Sequence, residues 1–190
     1  NEAFSSQLFG VSGVSGGSVG ATVYRTIAQT GQQDVTQKVQ QVLGKDYLGP
    51  VSAGLLYLDL TQALLPVELL PDRAKVFEQS LELGFEDVMG GQATLNKSLI
   101  ESSRFNGREW PALFLNSTWS DNGRRIVGAT LKPAQNALYQ DLLETLGKDL
   151  RLSTAAHNSA RFPLVSPAGA WEPINGKQKT QRLQDGGLFE

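Results

Sequence analysis

Cysteine is absent from the chain, and histidine and methionine each occur once. Without a thiol there is no disulfide, no cysteine nucleophile and no thiolate metal site. One histidine, His157, is too few to build a histidine-based metal centre, and any Ser-His-Asp triad would have to use it. A dominant charge is also missing. Seventeen Lys and Arg stand against 19 Asp and Glu, a net charge of −2, so no basic field draws the chain to nucleic acid. Long apolar runs are missing too. The most apolar stretch, 51–66, is short and interrupted by Asp59, which excludes a bilayer span there. Internal repeats and linker-like segments are absent, so the 190 residues read as one domain, long enough to bury a sizeable core. A hydrophobic share of 40% and a charged share of 19% are ordinary for a globular protein.

Glycine, by contrast, is plentiful and concentrated where it means something. Gly13-Val14-Ser15-Gly16-Gly17-Ser18-Val19-Gly20 contains G-x-S-x-G, the pattern of a nucleophile elbow. A short β-compatible stretch, residues 7–12, precedes it, and a run of small and apolar residues that reads as a helix follows. Strand, sharp turn and helix are what an elbow requires. Gly13 and Gly17 are expected to remove side chains that would collide across the turn. Gly16 would leave its N–H free at the helix N-terminus, where an oxyanion is stabilised. Gly20 and Ala21 would let the helix approach the sheet. Two competing readings of the octet fit less well. A phosphate loop needs Gly-Lys-Ser/Thr, and here Val19 follows Ser18. A dinucleotide fingerprint needs glycine where Ser15 stands. A glycine-rich turn without chemistry remains open on the octet alone.

A second motif, Asp185-Gly186-Gly187, lies near the other end. Between the two come Ala156-His157-Asn158-Ser159-Ala160, of the form A-x-x-S-A, and Pro111-Ala112-Leu113-Phe114-Leu115-Asn116-Ser117-Thr118, of the form P-x-L-x-x-N-x-T. In this order the motifs resemble the patatin-like phospholipase family over nearly the whole chain. The resemblance implies an α/β fold: a three-layer sandwich with a mainly parallel central sheet and helices on both faces. It implies a dyad in which Ser15 is the nucleophile and Asp185 the base, with Gly13, Gly16 and Gly17 forming the elbow and Gly186 and Gly187 completing D-G-G. It implies no metal and no cofactor. The substrates would be carboxylic esters of phospholipids or acylglycerols.

One part of the pattern departs. The family carries a glycine-rich loop ahead of the nucleophile strand that donates oxyanion N–H groups, and this sequence has none. Gly90-Gly91, the one Gly-Gly pair between the elbow and D-G-G, follows Ser15 rather than preceding it. The chain therefore reads as a patatin-like domain over 1–190 that is a piece of a longer one, its sheet incomplete at the N-terminal edge. Two other readings stay open: an esterase or thioesterase for soluble substrates, and a lipid-binding module without catalysis. Asp185 could also be a plain Asp-Gly turn, and His157 a core histidine.

The remaining elements follow from periodicity and turn residues. Helices are expected over 16–30 and 32–43. Residues 51–66 read as a buried helix or, alternatively, a lipid-facing surface, and 55–70 is the candidate peripheral membrane contact. A helix starts near Pro71, with Ala74, Val76, Phe77, Leu81 and Leu83 as apolar positions up to Gly84, and a short helix is expected over 94–101. A strand over 112–116, a tight turn at Asp121-Asn122-Gly123 and a returning strand over 124–128 come next. A helix over 136–147, a strand over 149–154, a helix over 155–160 and a loop over 171–179 precede Asp185, which is placed at a strand end.

Overall fold

The computed structural model describes residues 7–64, 73–132, 139–163, 165–171 and 181–188. Strand β1 (Gly10–Val14) runs directly into helix α1 (Gly16–Ala28), whose Val19, Val23 and Ile27 recur every fourth residue and form its buried apolar stripe. Helices α2 (Val35–Leu43) and α3 (Leu48–Ala53), a π-helical turn over Gly54–Asp59, and helices α4 (Leu60–Ala63) and α5 (Arg73–Met89) follow. A small hairpin, β2 (Arg104–Phe105) with β3 (Arg108–Glu109), closes through Asn106 and Gly107, at φ 50 and 73. Then come β4 (Ala112–Trp119), β5 (Arg125–Ala129) and β6 (Gln140–Asp141). Helix α6 (Leu142–Leu146) is capped by the Asp141 side chain and ended by Gly147 in the left-handed region. Helix α7 (Leu152–Ser159), β7 (Gly169–Trp171) and β8 (Gln181–Asp185) complete the order.

The chain is mixed α/β, with a mixed six-stranded sheet ordered β6-β5-β4-β8-β7 and β1 beside β4. The expectation of a mainly parallel sheet is wrong. β1–β4 and β5–β6 are parallel, but β4–β5, β4–β8 and β7–β8 are antiparallel. The cause is connection length. Residues 120–124 join β4 to β5 through Gly123 at φ 66, and so short a link can only return the chain antiparallel. The long route from β1 to β4 carries α1 to α5, and it does give a parallel pair.

Register then fixes where the strand ends fall. β1 and β5 both pair with Phe114, Leu115 and Asn116, so they lie on opposite edges of β4. β5 and β8 both pair with Ser117 and Thr118, so they too are on opposite edges. β1 and β8 therefore share one edge of β4. β1 occupies it up to Asn116 and β8 from Ser117 on, and the two strands run toward each other.

Side-chain alternation along β4 places Leu113, Leu115 and Trp119 on one face. Leu113 and Leu115 join a core with Val19, Val23, Phe85 and Leu152; Trp119 joins a second with Ile126, Leu142 and Leu183. Both cores therefore lie on one face of β4, and on its other face Thr118, Val127 and Ala129 are buried as well.

Several local expectations also shift. The buried stripe of α5 is Ala74, Glu78, Leu81, Phe85 and Met89, whereas Leu83 is exposed. Residues 94–100 are bends and turns rather than a helix, and only Glu101 begins a short 3-10 helix, Glu101–Ser103. The expected strand over 149–154 is a lone bridge between Ser98 and Arg151, because α7 already begins at Leu152. Of the helix expected over 136–147, residues 136–138 lie outside the described residues, as do 65–70 of the candidate membrane contact and 172–179 of the expected loop. The remainder of that contact is not a buried helix: Leu56, Tyr57 and Leu64 are 62%, 72% and 81% exposed.

Candidate active site

Ser15 is the hinge between β1 and α1, and its backbone is at φ 54, ψ −134. Among the described residues only Asn106 shares positive φ without being glycine, and asparagine tolerates that region in a turn. Serine does not, so this conformation stores about 1–3 kcal/mol of strain. The surroundings hold it there. The Ser15 N–H donates to the Ser159 carbonyl at 3.1 Å, and the Ser15 carbonyl accepts from the Ser18 N–H at 3.0 Å. A Cβ on Gly13 would stand 2.7 Å from Ser18 Cα, so the strand can meet the helix this closely only with glycine there. At Gly17 a Cβ would meet nothing within 4 Å, so the expected collision does not occur; the residue lies on the exposed first turn of α1. Gly20 faces Leu43 of α2 rather than the sheet.

The hydroxyl is left available. Ser15 is half-buried, its side chain does not cap α1, and Oγ has no hydrogen-bond partner among the described residues. The N–H groups of Gly16 and Gly17 likewise make no hydrogen bond among those residues. They open a 13-residue helix whose first turn has no acidic side chain, so no residue of that turn offsets its positive end. Gly16 is exposed and a Cβ there would meet nothing within 4 Å, so its N–H can be approached.

β8 delivers Asp185 to the same place. Its Cα partner is Ser117, next to the Asn116 that pairs with Val14, so the ends of β8 and β1 converge. Asp185 is 2% exposed. Oδ1 accepts from the Gly187 N–H at 2.8 Å, and Oδ2 is buried without a partner among the described residues. Gly186 is sterically compulsory, since a Cβ there would lie 2.1 Å from the Asn116 carbonyl oxygen. A Cβ on Gly187 would lie 3.9 Å from Val14 Cγ1, so D-G-G folds back over the end of β1.

The two intermediate motifs tie these ends together. Asn116 Nδ2 donates to the Gly13 carbonyl at 2.7 Å and to Ser12 Oγ at 2.9 Å, and its Oδ1 accepts from Arg125 Nε at 2.8 Å. Ser159 Oγ donates to the Asn116 carbonyl and lies 2.7 Å from Ser18 Oγ. The Asp185 N–H donates to the Arg161 carbonyl at 3.0 Å. The chain at the end of α7 thus accepts the backbone N–H of both Ser15 and Asp185. The sequence pattern marks these segments but gives Asn116, Ser159 and Arg161 no role of their own.

His157 serves a different network. Its Nδ1 is 3.0 Å from Glu78 Oε1 and its Nε2 is 2.9 Å from Ser166 Oγ, with all three residues buried. Burial alone would raise the Glu78 pKa, but hydrogen bonds from His157 and Thr154 and the charges of His157 and Arg161 outweigh it and hold the carboxyl below its ordinary value. The connectivity is that of a Ser-His-Glu triad, yet the oxyanion donors are wrong. The Ser166 N–H is spent on the Phe162 carbonyl at 3.0 Å, and the next residue is Pro167, which has none. Both ring nitrogens of His157 are engaged away from Ser15. Gly90 and Gly91 form the turn that ends α5.

The structure thus brings Ser15, Asp185, Gly13, Gly16 and Gly186 to one strand junction. Compared with known protein families, with curated proteins and with solved structures, the chain finds no match in any of the three.

Proposed function

We propose that this chain is a serine-dependent carboxylic ester hydrolase of patatin-like type, with Ser15 as nucleophile and Asp185 as base. The observation that carries the reading is the strained backbone of Ser15, held at φ 54, ψ −134 between a strand and a helix N-terminus. Strain at a non-glycine residue persists only where the surroundings impose it, and it clusters at functional sites. In the reaction, Ser15 Oγ adds to the ester carbonyl carbon while its proton passes to Asp185 Oδ2. The carbonyl oxygen becomes an oxyanion and is held by the Gly16 N–H at the positive end of α1. The C–O bond to the alcohol then breaks, the alcohol takes the proton from Asp185, and Ser15 is left acylated. Water attacks the acyl-enzyme, Asp185 takes its proton and returns it to Ser15 Oγ, and the carboxylic acid leaves.

Lipid acyl esters are the favoured substrates. Val14, next to Ser15, and Leu188, three residues past Asp185, are 41% and 43% exposed. Leu55, Leu56, Tyr57 and Leu64 present apolar surface to solvent on the 54–64 segment. A second reading, a lipid-binding module without catalysis, is favoured by the absence of a hydrogen bond between Ser15 Oγ and Asp185 among the described residues. Such bonds often tighten only once substrate is bound.

Hydrolysis of p-nitrophenyl butyrate, beside Ser15→Ala and Asp185→Asn, tests the proposal. Turnover lost in both folded variants supports the dyad. Turnover retained in Asp185→Asn but lost in His157→Gln overturns it. No turnover in the wild-type chain, with binding to phosphatidylcholine vesicles, favours the second reading.

A further inference from the structure

Glu78 is 3% exposed and stands within the apolar stripe of α5, where a carboxylate has no place unless it is paired. Its partners all belong to α7 and its flanks. Oε2 accepts from Thr154 Oγ1 at 2.7 Å and from Arg151 at 3.2 Å, at the start of the helix. Oε1 meets His157 Nδ1 at 3.0 Å and the Arg161 guanidinium at 3.6 Å, at its end. Thr154 and His157, three residues apart, share the face of α7 turned to α5, and Arg151 and Arg161 reach Glu78 from just outside its two ends. Just beyond that face, the Ser159 and Arg161 carbonyls accept the Ser15 and Asp185 N–H groups at 3.1 and 3.0 Å.

We propose that Glu78 is a positioning residue for the Ser15–Asp185 pair: by gripping α7 from end to end, it fixes the two carbonyls from which both reacting residues hang. The inference rests on the hydrolase reading for its catalytic half, while its structural half stands on the hydrogen bonds alone. Without the carboxylate, Arg151, Thr154, His157 and Arg161 lose their common acceptor, and the side of α7 turned to α5 loses the anchor that joins its two ends. The Ser159 carbonyl then moves, and Ser15, which is strained, relaxes out of the elbow.

Glu82 supplies the control. It lies one turn further along α5 and bonds Ser153 and Arg151, the latter at 3.2 Å, so it touches only the start of α7. Glu78→Gln and Glu82→Gln are compared with the wild-type chain by amide hydrogen exchange and by p-nitrophenyl butyrate kinetics. In Glu78→Gln, exchange at the Ser15 and Asp185 amides rises about tenfold or more while the β4–β5 ladder is unchanged. In the same variant kcat falls roughly 10- to 100-fold with KM within about twofold. Glu82→Gln moves neither. Unchanged exchange at Ser15 and Asp185 in Glu78→Gln, or equal losses in the two variants, overturns the proposal. A wild-type chain without turnover, whose Ser15 and Asp185 amides still respond to Glu78→Gln alone, sinks the hydrolase reading and leaves the positioning role standing. If Glu78→Gln does not fold, His157→Gln is read in the same way, and unchanged exchange there overturns the proposal.

Discussion

Replacing Ser15 by glycine should make the protein more stable than replacing it by alanine. The two variants differ by one methyl group, and neither has the hydroxyl. That hydroxyl has no hydrogen-bond partner among the described residues, so its loss costs little in either case. At φ 54, ψ −134 a Cβ is strained and a glycine is not. The strain is about 1–3 kcal/mol. Glycine gives back about 0.4–1 kcal/mol through its freer unfolded chain. The difference favours Ser15→Gly by about 1 kcal/mol at the middle of those ranges. For a domain of this size that is roughly 3 °C in melting temperature. Urea and thermal unfolding of both variants, followed by circular dichroism, measure it. Equal stability, or a more stable Ser15→Ala, would mean that Ser15 is not strained and would remove the main support for an elbow. Both variants should be without esterase activity, so the pair also separates stability from function: the more stable protein is an inactive one.

Gly186→Ala should lose about 3 kcal/mol in urea unfolding, since its Cβ would overlap the Asn116 carbonyl oxygen at 2.1 Å. Gly17→Ala meets open space and should gain about 0.5 kcal/mol instead. Acid should act through Glu78. Its carboxyl is held below the ordinary 4.5, so its contribution is whole above that value and is lost as the pH falls further, through the folded-state value. Urea midpoints measured downward from pH 5 should therefore drop in the wild-type chain more steeply than in Glu78→Gln. Ser166→Ala should leave p-nitrophenyl butyrate turnover within about twofold, because Ser166 has no oxyanion donor, while costing about 1 kcal/mol for its bond to His157. A large loss of turnover would transfer the nucleophile's role to the Ser166–His157–Glu78 network.

The strand and turn residues of the site could be read from the sequence because their chemistry is local. Gly13, Ser15 and Gly16 lie within four positions and specify a turn that only they can make, and Asp185-Gly186 does the same at the far end. The sheet was less legible, although the residues themselves were informative. Asp121-Asn122-Gly123 followed by a returning strand already describes an antiparallel hairpin, and the expectation of a mainly parallel sheet contradicted it. That β1 and β8 share one edge of β4 depends on pairings between residues about 65 to 100 positions apart, and no local pattern encodes them. Glu78 shows the same limit from the other side. Ala74, Leu81 and Phe85 set a helical stripe that passes through position 78, so the spacing placed a carboxylate in the core. Apolar residues alone, however, suggested Val76 and Leu83 as its companions. A charge inside an apolar stripe is a signal only if it is treated as part of the stripe. Its partners, Arg151, Thr154, His157 and Arg161, repeat at helical spacing in a segment rich in small residues. The two patterns are complementary, an acid on one helix and a row of donors on another. The row of donors alone reads as ordinary surface polarity; only its pairing with the buried acid across α5 and α7 makes the two a clamp on the chain that holds Ser15 and Asp185.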